Sequence, residues 1–174
     1  TSRVPSADSC SEAAPAIGMR VRITPVGSST SAMASGVLVA SMSARALVGM
    51  MGGAGLYAPI GASDLRALCL TRELVAAASP IADAVLALQA LGATPFVLAG
   101  TPAQRAQWLD AILTGRAMAA FAMTEPEAGS DVAAMRTTAR RDGSGWVIDG
   151  TKHLISNAGI ADVYLVFAVT TPGA

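Results

Sequence analysis

Between Ser63 and Gly115 apolar positions recur at helical spacing, and from Ala117 onward they fall into short runs broken by turn residues. Leu65, Leu68, Leu70, Leu74 and Val75 predict a helix that begins at Asp64 with Ser63 as its cap. Ser79-Pro80 starts the next one. A serine hydroxyl accepts a bond from an orphan N–H, and proline at the first helical position lacks the donor that would go unsatisfied anyway. Ile81, Val85, Leu88 and Leu91 give this helix one apolar face. Thr101-Pro102-Ala103-Gln104 has the form of a capping box, with Thr101 serving forward and Gln104 reaching back. Trp108, Leu109 and Ile112 follow, and Gly115 stops the helix.

Ala117 to Met123 is a short apolar run that fits a buried strand, and Thr124 to Asp131 is a polar, glycine-containing loop. Thr137–Arg141 and Trp146–Ile148 predict strands around the turn Asp142-Gly143-Ser144-Gly145. Asp149-Gly150 is a second hairpin signal, since both positions accept positive φ. Leu154–Ser156 and Val163–Val169 complete the strands. Helices first and an antiparallel sheet after them predict an α+β chain: an N-terminal helical domain over 51–116, then the start of a β domain over 117–174. Residues 1–50 form an uncertain leader. The first thirty have no clear periodicity and read as loop, 32–50 as an apolar helix, and Gly49, Gly52, Gly53 and Gly55 as its break. Their Ala, Ser, Gly and Arg content also fits a segment foreign to the fold.

Composition narrows the classes. The chain has 174 residues, 52% of them apolar, so a sizeable core can be buried. Twelve basic residues balance twelve acidic ones, so no long-range field draws nucleic acid or an anionic membrane. Arg136, Arg140 and Arg141 are the one local basic cluster, spaced as a solvated strand face. Val26–Ser63 is weakly charged, but Arg45 interrupts it, and a central arginine costs about 2.5–3.5 kcal/mol on insertion scales. Cys10 and Cys69 have no metal or disulfide spacing, and the expectation is two reduced thiols in a cytoplasmic protein.

Two patches carry chemistry. In Phe121–Asp131 a loop leaves the end of a buried strand, and Thr124 offers a hydroxyl and an N–H there. Gly129 lets a ligand approach the backbone, and at Ser130 a hydroxyl and successive amides can converge on an anion such as a pyrophosphate. A tight turn capped by Ser130 or Asp131 accounts for the same residues. In Gly150–Asn157, Ser156 falls on the same side of a strand as Leu154, where a hydroxyl beside an apolar side chain suits a planar ring. A strand with one wet face is the plainer alternative.

Thr124-Glu-Pro-x-Ala-Gly-Ser-Asp131, followed by Gly150-Thr-Lys-x-x-Ile-Ser-Asn157 and preceded by Gly100-Thr-Pro-Ala-Gln-Arg-Ala-Gln-Trp-Leu109, resembles the acyl-CoA dehydrogenase family over about Gly52 to Gly173. The resemblance implies an N-terminal helical domain, an antiparallel, barrel-like middle β domain that is truncated here, and a C-terminal helical bundle beyond it. It implies FAD as cofactor, with Phe121, Met123 and Thr124 lining the flavin and Thr124 bonded to its pyrimidine edge. Gly129 and Ser130 would serve the pyrophosphate, and Ser130 the acyl-CoA substrate as well. Leu154, Ile155 and Ser156 would cover the other side of the ring. Leu154 departs from the Trp or Phe often found there, which forgoes a stacking contact of about 0.5–1.5 kcal/mol.

The implied reaction is α,β-desaturation of an acyl-CoA thioester, with an electron-transfer flavoprotein and a homo-oligomer as implied partners. The family's base is a carboxylate in the C-terminal bundle. None of Glu12, Glu73, Glu125 or Glu127 matches it, so no catalytic residue is expected in this chain and the isolated 174 residues are expected to be inactive. An acyl-CoA oxidase or flavin monooxygenase on the same scaffold, and a truncated non-catalytic chain, stay open as alternatives.

Overall fold

The computed structural model describes residues 18–25, 43–143 and 145–171. They form two compact units, one of 18–25, 122–155 and 166–171 and the other of 43–121 and 156–165. The stretch 117–121 and the segment 156–165, both expected in the β domain, belong with the helices. Cys10, Glu12 and the expected helix over 32–42 lie outside the described residues.

In the helical unit, α1 (Ala44–Gly53) starts at Ser43, whose hydroxyl accepts from the Ala46 amide at 3.2 Å. Gly49 and Gly52 do not break it, contrary to expectation. Gly52 is there for proximity: a Cβ would stand 2.4 Å from the Thr114 backbone. The break comes at Gly55, with φ +75°. After the short α2 (Ala58–Gly61), α3 (Leu65–Ala78) is capped by Asp64 rather than Ser63. The carboxylate accepts from the Ala67 amide at 2.9 Å, a charge-assisted bond stronger than a hydroxyl's.

Helix α4 (Pro80–Ala99) begins as predicted, with the Ser79 hydroxyl accepting from Ala82. Its buried stripe differs from the expected one. Ala82, Val85, Leu86, Gln89, Ala90, Ala93 and Phe96 face the core, while Ile81 is 53% exposed and Leu91 also lies outside. α4 is apolar on all sides, so hydrophobicity alone did not mark its inner face. Small side chains did, because they permit close approach: a Cβ on Gly92 would stand 2.2 Å from the Ala119 Cβ. By length and composition alone α4 is long and apolar enough to cross a membrane; here it packs against α1, α2, α3 and α6 (Asp110–Leu113). The capping box at Thr101 forms with both bonds, 3.2 and 2.9 Å, ahead of α5 (Pro102–Gln104) and a π-helical turn at Arg105–Leu109. Gly115 ends the run at φ +74°. The core of this unit gathers Leu47, Val48, Tyr57, Leu86, Ile112 and Met118.

Strand β2 (Ala119–Ala122) pairs with β5 (Val163–Val166) as a two-stranded sheet. The Asp162 carboxylate, just before β5, accepts from the Met118 amide at 2.7 Å and from Arg45 at 2.8 Å. The Asn157 side chain donates to the Ala119 carbonyl at 2.9 Å.

The β unit holds a three-stranded sheet ordered β1-β4-β3, where β1 is Gly18–Pro25, β3 Thr138–Asp142 and β4 Gly145–Ile155. β3 and β4 are antiparallel and pair Asp142 with Gly145, at the place of the predicted turn, where Gly143 has φ +59°. Two expectations fail. The leader contains a strand, and β1 runs parallel to β4, with Gly18 opposite Val147 and Ile23 opposite Lys152. The sheet is therefore mixed, and no barrel closes among the described strands. Asp149-Gly150 is not a turn either; both residues lie inside β4. Gly150 is small because a Cβ would stand 2.3 Å from the Thr137 hydroxyl oxygen.

Two substitutions test this packing by thermal unfolding. Gly92→Ala is expected to destabilise by about 1–3 kcal/mol through overpacking. Tyr57 is fully buried and its hydroxyl has no partner among the described residues, so Tyr57→Phe is expected to leave stability unchanged or raise it by about 1 kcal/mol. A loss in the second case would mean that the hydroxyl has a partner.

Candidate functional site

The loop Thr124–Asp131 and the end of β4 are fastened together inside the β unit. Glu125 and Ala128 close a tight turn through reciprocal backbone bonds of 2.9 and 3.2 Å. The His153 amide donates to the Thr124 carbonyl at 2.8 Å. Beside it the Lys152 ammonium, 0% exposed, donates to the Met123 carbonyl at 2.8 Å and to Glu125 Oε1 at 2.9 Å. Glu125, 5% exposed, accepts on its other side from the Arg136 amide at 2.7 Å and from the Thr137 amide at 2.9 Å. Burial pushes the Glu125 carboxyl up, but bonds from Thr137, the Arg136 amide and Lys152 more than offset this and hold it at about 2.

This anchoring leaves particular groups unpaired. The Thr124 and Ser130 hydroxyls and amides make no hydrogen bond among the described residues. Gly129 has a negative φ, and no described residue lies within 4 Å of where its Cβ would be. Neither backbone strain nor packing among the described residues asks for glycine there. Asp131 precedes a three-residue 3-10 turn, Val132–Ala134, and makes no capping bond, so a capped turn does not account for this loop.

At the other segment Leu154 takes φ +55° and is 55% exposed. A left-handed conformation costs a non-glycine residue about 1–2 kcal/mol. It also breaks the alternation of β4, so Leu154 and Ser156 do not share a face by strand parity. Ile155 is buried, which makes Leu154 the outward apolar group of the pair. Of the expected residues, Met123, Thr124, Gly129, Ser130, Leu154 and Ile155 belong to the β unit, and Phe121 and Ser156 to the helical unit. Glu125, Lys152 and Thr137 were not expected as site residues. Their signal was present: Lys152 is the chain's one lysine, and it and Glu125 sit one in each motif.

Residues 120–174 match the family description "Acyl-CoA dehydrogenase, middle domain". A probable acyl-CoA dehydrogenase of Mycobacterium tuberculosis is 40% identical over 110 residues, 63% of this chain and 28% of that protein. Glutaryl-CoA dehydrogenase from Mycobacterium smegmatis, solved in complex with FADH2, superposes with a TM-score of 0.62 at 33% identity, covering 74% of this chain and 35% of its own. A chain in the structure of an electron-transferring flavoprotein of Acidaminococcus fermentans has a TM-score of 0.66 at 32% identity, covering 73% of this chain and 36% of its own.

The chain is a member of the acyl-CoA dehydrogenase family.

It spans 28% of the length of the Mycobacterium tuberculosis relative it matches. Within this segment the two signature motifs are the two stretches of chain that Lys152 and His153 tie together.

The depressed Glu125 carboxyl sets a pH dependence. Its folded value, about 2, lies below the ordinary 4.5, so its contribution to stability is complete above pH 4.5 and is lost as the pH falls toward 2. Urea midpoints measured across that window are expected to drop in the native chain and to drop less in Glu125→Gln. Equal slopes in the two proteins would rule Glu125 out as the group responsible.

Proposed function

We propose that this chain contributes the FAD-facing part of an acyl-CoA dehydrogenase, an enzyme that desaturates an acyl-CoA thioester between its α and β carbons. One observation carries the reading. The fastened pair of signature motifs leaves the amide and hydroxyl of Thr124, and those of Ser130, without partners among the described residues. These donors suit a flavin's carbonyl-rich pyrimidine edge and its pyrophosphate, so the residues present fit the cofactor. The likeness to a glutaryl-CoA dehydrogenase solved with FADH2 supports the same choice.

FAD, when bound, supplies the redox chemistry, and the protein supplies binding, orientation and exclusion of water. Thr124 donates to the ring's polar edge. Ser130 donates to the pyrophosphate and to the acyl-CoA, with Gly129 leaving room for close approach. Leu154 presents an exposed apolar surface for a planar ring to cover. Glu125 is not the base that removes the substrate's α-proton, because its carboxylate is buried and committed to Lys152 and two amides. The electron acceptor we assign is an electron-transfer flavoprotein, a choice supported by the likeness to a chain in such a structure.

Titrating the chain with FAD is expected to quench flavin fluorescence, and Thr124→Ala is expected to weaken binding about tenfold, the loss of about 1.4 kcal/mol. Adding an acyl-CoA to the flavin-loaded chain is expected to perturb its absorption band, less so in Ser130→Ala. Absence of any quenching at micromolar protein would remove the flavin reading.

A further inference from the structure

We infer that Lys152 is a positioning residue for this site, one that aims the Thr124 amide and hydroxyl without touching the ligand itself. The inference rests on the FAD reading above. Its geometric basis is the planarity of the peptide unit. The Met123 carbonyl and the Thr124 N–H belong to one planar, trans peptide, where they point in opposite directions. Holding the Met123 oxygen at 2.8 Å from the buried ammonium therefore turns the Thr124 N–H away from Lys152. The next peptide is held in the same way. The His153 amide takes the Thr124 carbonyl, and the Glu125 N–H of that peptide bonds to the Ala128 carbonyl. The Glu125 side chain, fixed to the same ammonium, closes the frame from the far side.

Both peptides flanking the Thr124 α-carbon are thus set by two consecutive residues of β4. Of the groups on Thr124, the amide and hydroxyl alone remain for a ligand. No other side chain among the described residues bonds to the Met123 carbonyl. The same ammonium forms the one ion pair to Glu125 among the described residues. An apolar residue at 152 would strand both acceptors in a dry interior, and the loop would rearrange to satisfy them.

The test compares the full chain with Lys152→Met, Thr124→Ala and the double variant. Amide hydrogen exchange is followed over Phe121–Ser130 and over α4. In Lys152→Met, exchange in Phe121–Ser130 is expected to rise at least about tenfold while α4 is unchanged, a local opening of about 1.4 kcal/mol. FAD affinity is expected to fall at least about tenfold in each single variant; Thr124→Ala keeps the amide that Lys152 aims, so the double variant is expected to bind more weakly than either but to lose less than the two single losses combined. Lys152→Gln, which keeps a donor, is expected to be intermediate in both readouts, and it carries both arms if Lys152→Met does not fold. Unchanged exchange in Phe121–Ser130, or additive losses of FAD affinity, would overturn the inference. If the native chain does not bind FAD, the functional reading fails on its own, and the exchange arm still decides whether Lys152 holds the loop.

Discussion

Lys152 and Glu125 are both withdrawn from water, and a buried ammonium or carboxylate persists only where partners replace its hydration. Here the partners are drawn from four places: the Met123 carbonyl, the Arg136 and Thr137 amides, and each other. Satisfying two charges therefore fixes the loop after β2, the lead-in to β3 and the end of β4 at once. The motif loop has few apolar residues of its own, and Ala128 is the buried one. Its shape comes from this polar network and from the Glu125–Ala128 turn, not from a hydrophobic core. Removing one partner of such a pair costs far more than the pair contributes over an apolar substitute, because the other charge is left behind.

Much of the helical unit was legible because its signals are local. Ser79-Pro80, the Thr101 capping box and Gly115 each act within a few residues, and each ends or begins a helix where expected. The failures share a cause of the opposite kind. The inner face of α4 is set by where Ala119 and Ile112 come to lie, which no spacing within Pro80–Ala99 encodes. Asp149-Gly150 has the residues of a hairpin turn, yet the chain runs straight through, with Asp149 paired to β1 on one side and β3 on the other. β1 had its own signal in the alternation of Met19, Val21 and Ile23 with Arg20, Arg22 and Thr24. Its partner lies more than a hundred residues on, and that separation hid the parallel pairing.

The candidate site was legible as a pair of motifs but not as a mechanism of assembly. Thr124, Ser130 and Leu154 stand out as residues with groups on offer. The residues that hold them, Glu125 and Lys152, look in the sequence like ordinary surface charges. A charged side chain in a loop or strand is solvated far more often than buried, so composition argues against the arrangement that forms. Leu154 shows the same limit for the backbone: nothing about leucine announces a left-handed residue at the end of a strand.

Gln89 has a consequence of a different kind. Its side-chain nitrogen donates to the Ile112 and Ala117 carbonyls at 3.3 and 2.9 Å, and its oxygen accepts from the Ala119 amide at 2.9 Å. One buried amide thus satisfies two carbonyls and one N–H of the chain that enters β2. A segment that did not offer that set would leave the nitrogen or the oxygen of Gln89 unpaired among apolar side chains. The apolar wall of α4 sets no such demand; the one amide in that wall ties the entry of β2 to it.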